Sequence, residues 1–415
     1  MFVHDPRWHQ FVVEREPRYE ETVFIPGLVP DPGTITDRIA ATVAAATATG
    51  GKGLRLRAFR GSEFDFRLTE RLSRTMPGGG QSLPEWLAEN ADDRPACVAI
   101  NDVSSWDLEL AALAQSVVRS LVPGRDLVSG ADIYTFIADV EWTPFGIHKD
   151  DEPSLIFHLG PGAKELWVWP DDGIDKDQLF ENPSLGRVSF DFDRLLPGAC
   201  RYILQPGDFV CIPRGRYHLF RNVGPSVFLG VTLFPTDLRK SFSDLMIDHF
   251  GARLDAVGEP SSFDEVRRLV TDTFREPEAI AGLAITLDLA AAKQRTAGHL
   301  RPPKVAALRT SEPPADAALR WAYPGVVESV AGAGHTHLVV RGRDIALGGQ
   351  VDLDELQALV GEFTLDDLDA TLARIFDIDR RRQLVQALWR FGALALGTDR
   401  ASVLPATRAA CAASS

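Results

Sequence analysis

Short hydrophobic runs separated by Gly, Pro or Asp fill the middle of the chain. A strand-like run at Cys97–Asp102 comes first, and Trp106–Leu121 then carries apolar residues at helical spacing. Further short runs follow at close intervals, at Asp132–Val140, Ser154–Leu159, Glu165–Trp169, Tyr202–Leu204, Asp208–Ile212 and Val227–Phe234. Short strands at this density, with turn residues between them, are typical of a β-barrel or sandwich. We therefore predict a barrel core over about 96–235, within a first domain of 1–235.

Beyond Pro235 the hydrophobic positions change to helical spacing. Apolar residues three and four apart predict a helical region over 236–305, with helices at Leu238–Phe250, Ser262–Phe274 and Glu276–Thr296. The apolar stripes on these stretches are suited to packing against other helices.

The last part of the chain has a different order of elements. Proline pairs at 302–303 and 313–314 indicate a linker over 306–330. A strand pair then precedes helical stretches and a short final strand, an order that resembles a winged helix over 331–400. The Ala- and Ser-rich residues 401–415 predict a flexible tail. The predicted class is α+β, with a barrel, a helical extension and a winged-helix-like C-terminal domain.

Composition and charge narrow the possible functions. The 415 residues are 45% hydrophobic and 25% charged, which excludes wholesale disorder. A formal charge of −14 argues against general binding to nucleic acids or anionic membranes, and 331–400 itself has eight Arg against eleven Asp and Glu. The cysteines lie far apart, which argues against a zinc ribbon or a disulfide scaffold. Without a signal-like N-terminus or an apolar run of about 18 residues, we expect a cytoplasmic protein.

Candidate metal ligands lie on either side of the predicted strands. His148 and Asp150 stand two residues apart, so on an extended segment both side chains point to the same face. His218 lies after the run that ends at Pro213. Two histidines and one carboxylate form the facial triad of non-haem Fe(II) oxygenases, which leaves positions open for a co-substrate and O₂. Asp151 and Glu152 are neighbouring alternatives to Asp150, and His158, inside an apolar run, is a rival that we expect to line the barrel.

The motifs around these residues resemble those of the JmjC/cupin-type 2-oxoglutarate oxygenases, especially the bacterial branch that includes the ribosomal oxygenases. The resemblance covers about 96–234 and rests on FGIHKD at Phe145–Asp150, on Gly162-Ala163-Lys164 before Trp167, and on Pro206-Gly207-Asp208 followed by Pro213, Gly215 and His218. It implies a double-stranded β-helix (jelly-roll) barrel. It also implies Fe(II), 2-oxoglutarate and O₂ as cofactor and co-substrates, and homodimerisation through the helical region.

The same resemblance implies a partner for the far carboxylate of 2-oxoglutarate. Lys164 is the candidate, because a buried carboxylate without a cation is costly. Tyr134 could donate a hydrogen bond to that carboxylate, and Asn222 could contact the co-substrate or the substrate. Tyr134 and Asn222 are equally consistent with a structural role in the barrel.

The implied activity is hydroxylation of an amino-acid side chain in a protein or peptide, with conversion of 2-oxoglutarate to succinate. An acidic enzyme would suit a basic target. Two alternatives stay open: an oxygenase acting on a free amino acid or natural product, and a non-catalytic cupin that binds a peptide or metabolite. For the C-terminal domain, capture of a protein partner or a structural role is expected rather than DNA binding.

Overall fold

The computed structural model describes residues 2–15, 19–51, 53–92, 94–122, 130–170, 173–182, 186–234, 243–247, 262–275 and 277–397. The chain divides into two compact units. The first comprises 1–235 with 303–307, and the second comprises 236–302 with 308–415. Within the described ranges, no helix combines the length and the apolar character that crossing a membrane would require.

An antiparallel sheet of nine strands forms the framework of the first unit. Its order is β1–β10–β6–β11–β5–β4–β2–β3, with β9 paired to β6, while β7 and β8 form a separate hairpin. The bounds of these strands are β1 Val23–Ile25, β2 Arg55–Arg60, β3 Glu63–Phe64, β4 Cys97–Asn101, β5 Ala131–Ala138, β6 Ser154–Val168, β7 Phe180–Asn182, β8 Gly186–Val188, β9 Cys200–Leu204, β10 Phe209–Ile212 and β11 His218–Leu233.

Strand β6 joins two runs that the sequence predicted as separate strands. It continues through Gly160-Pro161-Gly162, which we expected to be a turn, because β11 stays paired with it on both sides of an irregularity in register. A side chain at Gly162 would place its Cβ 2.6 Å from the carbonyl oxygen of Val223, so only glycine permits this close approach. The first half of β6 pairs with β10 and the second half with β9.

Several helices in the first unit begin directly after a residue whose side chain caps the helix N-terminus. Asp107 accepts hydrogen bonds from the backbone of Glu109 and Leu110, so the helix expected from Trp106 begins at Leu108. The bounds are α1 Pro6–Arg15, α2 Pro32–Ala48, α3 Phe66–Arg74, α4 Leu83–Asn90, α5 Leu108–Leu121 and α6 Phe192–Leu195, with 3₁₀ turns at Phe2–His4, Val103–Trp106, Lys176–Gln178, Leu196–Gly198 and Val305–Ala307.

Aromatic residues from β5 and β11 dominate one core of the first unit. Phe136 stacks on Phe228 with ring centroids 5.5 Å apart, and Phe220 packs beside them with Ile156 and Leu166. Burying each phenyl ring contributes about 1.5–3 kcal/mol relative to leaving it exposed. These close-packed rings form one wall of the candidate site.

The second unit combines helices with small antiparallel sheets. Strands β13, β14 and β15 form a three-stranded meander, and β12 pairs with β16. Its bounds are α7 Phe263–Arg275, α8 Pro277–Thr296, α9 Asp354–Gln357, α10 Leu365–Ala373, α11 Ile378–Arg390, β12 Leu319–Trp321, β13 Val327–Ala331, β14 Thr336–Val340, β15 Arg343–Leu347 and β16 Leu394–Leu396. Residues 243–247 are also helical.

Several expectations for the C-terminal half differ from this arrangement. The range 306–330, expected to be a linker, contains β12 and β13, because Leu319 is fully buried and β13 pairs with β14 along its whole length. The first of the helical stretches expected after the strand pair is a single turn, Asp354–Gln357. The helix expected at Leu238–Phe250 lies outside the described residues except for 243–247, and the tail 401–415 lies wholly outside them.

Candidate metal centre

A cavity of about 320 Å³ opens among β4, β5, β6 and β11, and His148, Asp150 and His218 lie in its wall. This volume is within the range of small-molecule sites. Phe136, Phe145, Phe220 and Phe228 form its apolar side; Arg57, Asn101, Asp132, Tyr134 and Glu152 are among its polar lining residues. The three candidate ligands from distant parts of the sequence thus share one concave surface.

Backbone pairing places the two histidines opposite each other. His148 and His218 form an isolated antiparallel bridge, in which each backbone N–H donates to the other residue's carbonyl, at 3.2 and 2.8 Å. The chain reaches this bridge through Gly146, whose φ is +64° and whose Cβ, if present, would lie 2.6 Å from the carbonyl oxygen of Ser189. The glycine of the FGIHKD motif is therefore required by backbone geometry.

Hydrogen bonds to the backbone orient both imidazole rings. His148 Nδ1 donates to the carbonyl oxygen of Gly146 at 2.9 Å, and His218 Nδ1 donates to that of Arg216 at 3.0 Å. With the proton on Nδ1, each neutral ring keeps a lone pair on Nε2. Those Nε2 atoms lie 3.9 and 3.7 Å from the Asp150 carboxylate oxygens. The potential ligand atoms of the three residues all lie within 4.8 Å of one another, as a shared metal ion requires.

The protonation states also suit metal binding. Burial and the neighbouring His218 lower the pKa of His148 to about 4, so its ring is neutral at physiological pH. Burial disfavours ionisation of Asp150, but the two imidazoles and the Ser154 hydroxyl, which donates at 3.0 Å, hold the pKa of Asp150 below its usual value. Neutral imidazoles and an ionised carboxylate are the forms that bind a divalent cation.

The rival ligands occupy other positions. Asp151 is exposed and does not line the cavity, whereas Glu152 lines it without joining the group of three. Burial and the adjacent Asp150 raise the pKa of Glu152. His158 is fully buried and lies 2.7 Å from the carbonyl oxygen of Gly162, to which its Nε2 donates. His158 therefore links the two halves of β6 by this hydrogen bond.

Lys164 is fully buried behind the aromatic wall. Its ammonium lies 5.1–5.9 Å from the ring centroids of Phe136, Phe220 and Phe228, and it donates to the side-chain oxygen of Asn222. Burial lowers the pKa of Lys164 to about 7. The lysine lies next to the cavity, separated from it by rings that line the cavity, and is not itself a lining residue.

Asn222 and Tyr134 differ in their relation to the cavity. Asn222 is held from both ends, since its amide donates to the carbonyl oxygen of Val140 at 2.7 Å while its oxygen accepts from Lys164 and from Ser226. Tyr134 lines the cavity and lies across Gly230, where a Cβ would come within 2.2 Å of the phenol ring. Burial raises the pKa of Tyr134, so the phenol stays protonated and can donate a hydrogen bond.

The sequence analysis missed a set of polar side chains on β2, β4 and β5. Arg57 donates to the Asn101 side-chain oxygen at 3.0 Å, and the Asn101 amide donates to Asp132 at 3.0 Å. Asp132 also accepts from the backbone N–H of Asp102 at 2.8 Å. Arg57 is the only Lys or Arg among the described residues that line the cavity. Its alternation with buried Leu56 and Ala58 was visible in the sequence, but only the β2–β4 pairing directs it towards the site.

Comparison with solved structures identifies the fold. An X-ray structure of Escherichia coli YcfD is similar with a TM-score of 0.51 and 14% sequence identity, covering 94% of this chain and 98% of that chain. A structure of YcfD, described as a ribosomal oxygenase, in complex with cobalt and 2-oxoglutarate gives a TM-score of 0.50 with the same identity and coverage. No known family pattern matches the sequence, and no curated protein is detectably similar to it.

These comparisons define the fold of the chain. The mixed α/β architecture with a large antiparallel sheet is shared with YcfD along nearly the whole length of this chain.

Proposed function

We propose that this protein is an Fe(II)- and 2-oxoglutarate-dependent oxygenase that hydroxylates an amino-acid side chain in a protein or peptide. The observation that carries the proposal is the convergence of two Nε2 atoms and one carboxylate on a shared cavity, with both Nδ1 protons directed to backbone carbonyls. Cobalt, which shares the preference of Fe(II) for imidazole and carboxylate ligands, accompanies 2-oxoglutarate in a structure of YcfD.

The donor set fits a ferrous ion. His148, Asp150 and His218 would hold it on one face, so that the remaining positions open into the cavity. When bound, ferrous iron and 2-oxoglutarate would supply the chemistry in which O₂ is reduced. A C–H bond is oxidised to an alcohol, and 2-oxoglutarate is oxidised to succinate and CO₂. Ser154 keeps the Asp150 carboxylate oriented, and the carbonyls of Gly146 and Arg216 keep both imidazoles in the metal-binding tautomer.

Lys164 is proposed to pair with the far carboxylate of 2-oxoglutarate. Its ammonium has one neutral partner, Asn222, within a cage of phenyl rings, so an incoming carboxylate would relieve an uncompensated buried charge. The pairing requires the ammonium to move towards the cavity past Phe220 and Phe228. Tyr134, protonated and already in the cavity wall, would donate a second hydrogen bond. Arg57 is the competing cation, because it lines the same cavity.

The cavity wall is proposed to select and shield the substrate. Four phenylalanine rings exclude water from one side, which strengthens electrostatic interactions within the site. Glu152 and Asp132 line the cavity, and the whole chain carries a formal charge of −14, which favours a basic target. YcfD is described as a ribosomal oxygenase, and a ribosomal protein is the corresponding candidate substrate for this chain.

Three features that the family resemblance implies remain part of the proposal. They are the double-stranded β-helix arrangement of the barrel, the winged-helix fold of 331–400 and homodimerisation through 236–305. The acidic balance of 331–400 supports contact with a protein partner rather than with nucleic acid.

The test combines metal binding with turnover. Purified protein is titrated without oxygen with Fe(II) and 2-oxoglutarate, and we expect a charge-transfer absorption band that needs both additions. After oxygen is admitted, succinate is measured with ribosomal proteins, basic peptides and free amino acids as separate pools. Succinate formation stimulated by a protein or peptide pool supports the proposal. Stimulation by free amino acids alone would assign the small-molecule alternative, and a protein that binds no iron would be a non-catalytic cupin.

A further inference from the structure

A second pair of histidines lies in the second unit, outside the cavity. His335 precedes β14 and His337 lies within it, and the side chains bring the two Nε2 atoms to 2.8 Å. The rings are tilted by 59° with centroids 4.6 Å apart. His337 is largely buried, with a side chain 12% exposed, so the shared Nε2 position is sheltered on one side.

The far nitrogen of each ring faces an acceptor. His335 Nδ1 lies 3.2 Å from the carbonyl oxygen of Ala333, and His337 Nδ1 lies 3.6 Å from the Asp344 carboxylate. The Ala333 carbonyl can only accept, so the proton of a neutral His335 ring lies on Nδ1 and its Nε2 keeps a lone pair. His337 Nδ1 makes no hydrogen bond at 3.6 Å, so in the neutral pair the 2.8 Å contact is a hydrogen bond from His337 Nε2 to His335 Nε2. One proton therefore occupies the position between the two nitrogens, where a metal ion can replace it.

A second proton on this pair is unfavourable. It would create an imidazolium near the Lys293 ammonium, which lies 2.7 Å from Asp344 and already neutralises that carboxylate. A divalent ion that replaces the shared proton binds the lone pairs of both Nε2 atoms at once. With metal–nitrogen bonds of about 2.0–2.1 Å, two coordinated imidazole nitrogens lie about 2.9–3.4 Å apart, so a shift of a few tenths of an ångström suffices.

We propose that His335 and His337 form a second metal site, which takes one divalent transition ion of the class that prefers imidazole nitrogen, such as Zn²⁺, Cu²⁺ or Ni²⁺. The Asp344 carboxylate lies behind His337, 3.6 Å from its Nδ1, on the side from which carboxylates commonly support metal-bound histidines. Among the described residues no third His, Cys, Asp or Glu completes the site. Water fills the remaining positions, and the site is weaker than the group of three in the barrel.

The experiment removes the barrel site first. The full chain carrying His148→Ala and His218→Ala is titrated with Cu²⁺, and binding is followed by calorimetry and by electron paramagnetic resonance. One ion per chain, with hyperfine structure from two imidazole nitrogens, is expected. Adding His335→Gln or His337→Gln should weaken binding at least tenfold and remove one nitrogen from the spectrum. His9→Gln, at an exposed position on α1, is the matched control and should change neither quantity.

Two results would overturn the proposal. One is the absence of stoichiometric binding in the parent variant, and the other is unchanged binding after both substitutions at 335 and 337. Because His335 lies at a turn, its variant provides the test if His337→Gln does not fold. Asp344→Asn gives a separate check, since it leaves both ligands in place and should weaken binding by a few fold. None of these results depends on oxygenase activity, so failure here is distinguishable from failure of the proposed function.

Discussion

The two histidine pairs of this protein present the same chemistry but differ in how they are assembled. In the first unit, His148 and His218 are seventy residues apart and meet through a backbone bridge between segments, with ring centroids 4.4 Å apart. In the second unit, His335 lies just before β14 and His337 lies within it, with centroids 4.6 Å apart. Both Nδ1 atoms of the first pair and that of His335 donate to backbone carbonyls, whereas His337 Nδ1 lies 3.6 Å from the Asp344 carboxylate. The first pair lies in a cavity beside the Asp150 carboxylate, and the second lies on a partly exposed surface.

The two pairs illustrate what a proposed catalytic centre needs beyond a proposed binding site. Two imidazoles suffice to bind a transition ion, but activating O₂ beside a C–H bond also requires an anionic ligand, room for a co-substrate and exclusion of water. Asp150, the cavity of about 320 Å³ and the phenylalanine wall would meet these requirements at the first pair. At the second pair, no third His, Cys, Asp or Glu joins the group among the described residues.

The largest effect should come from removing one of the three proposed ligands, His148, Asp150 or His218. His148→Ala or Asp150→Ala removes one of three ligands, so we expect loss of the charge-transfer band and of succinate formation, by more than about 100-fold. Activity is measured as succinate produced at saturating 2-oxoglutarate. Asp151→Asn is the matched control, because this exposed carboxylate lies outside the site and its loss should leave turnover unchanged. Turnover that survives Asp150→Ala would exclude the facial-triad assignment.

The second effect concerns the buried Lys164, whereas the lysine near the second pair, Lys293, is partly exposed and paired with Asp344. Lys164→Met removes the proposed carboxylate partner, so 2-oxoglutarate affinity should fall about 10- to 100-fold, as expected for loss of a charged hydrogen bond. The same change should stabilise the protein without ligand by roughly 1–3 kcal/mol, because an aromatic cage favours an apolar side chain over an ammonium. Isothermal titration and denaturant unfolding measure the two quantities.

A surface lysine and the competing cation serve as references for that experiment. Lys304→Met replaces a partly exposed lysine that lies 3.9 Å from Asp102 and should leave 2-oxoglutarate affinity unchanged. If Arg57→Gln lowers 2-oxoglutarate affinity while Lys164→Met does not, the carboxylate partner is Arg57.

The third effect is a pH dependence that follows from the lowered pKa of Lys164, about 7. Carboxylate binding needs the protonated amine, so 2-oxoglutarate affinity should be greatest below pH 7 and decline above it. Folding stability without ligand should do the opposite. The unfolded chain, with a lysine pKa near 10.5, binds more protons above pH 7, so stability should rise from pH 7 towards pH 10. Lys164→Met should remove both trends, and trends that persist in this variant would assign them to another group.

The smallest effect should come from Ser154→Ala. The Ser154 hydroxyl donates to Asp150 at 3.0 Å, and losing it leaves all three ligands in place with the carboxylate less well oriented. We expect iron affinity to fall by a few fold to tenfold, with the band still present. The parallel change in the second unit is Asp344→Asn, which acts on His337 in the same indirect way. A complete loss of iron binding in Ser154→Ala would indicate that the serine has a more direct role.

Local signals in the sequence predicted much of the fold. Asp31, Asp65 and Asp107 each precede a helix and cap it, and the short apolar runs became strands close to the expected positions. The segment Gly160-Pro161-Gly162 is an exception, because we expected a turn there and the structure has a continuous strand. The long partner strand β11 pairs with β6 on both sides of this segment and so keeps β6 extended. Strand β12 was missed because it is only three residues long and its partner β16 lies far along the chain, whereas β13 pairs with the next strand, β14.

For the site, the sequence alone predicted His148, Asp150 and His218 as candidate ligands, from the two-residue spacing of His148 and Asp150 and from the motifs that the family resemblance rests on, and the structure brings the three together. Only the tertiary structure decided which groups surround them. The strand pairings place Arg57, Asn101 and Asp132 on the cavity, put Lys164 behind a phenylalanine wall and leave His335 and His337 facing each other. The physical reason is that backbone spacing acts over a few residues, whereas charge, burial and ring contacts depend on which strands become neighbours.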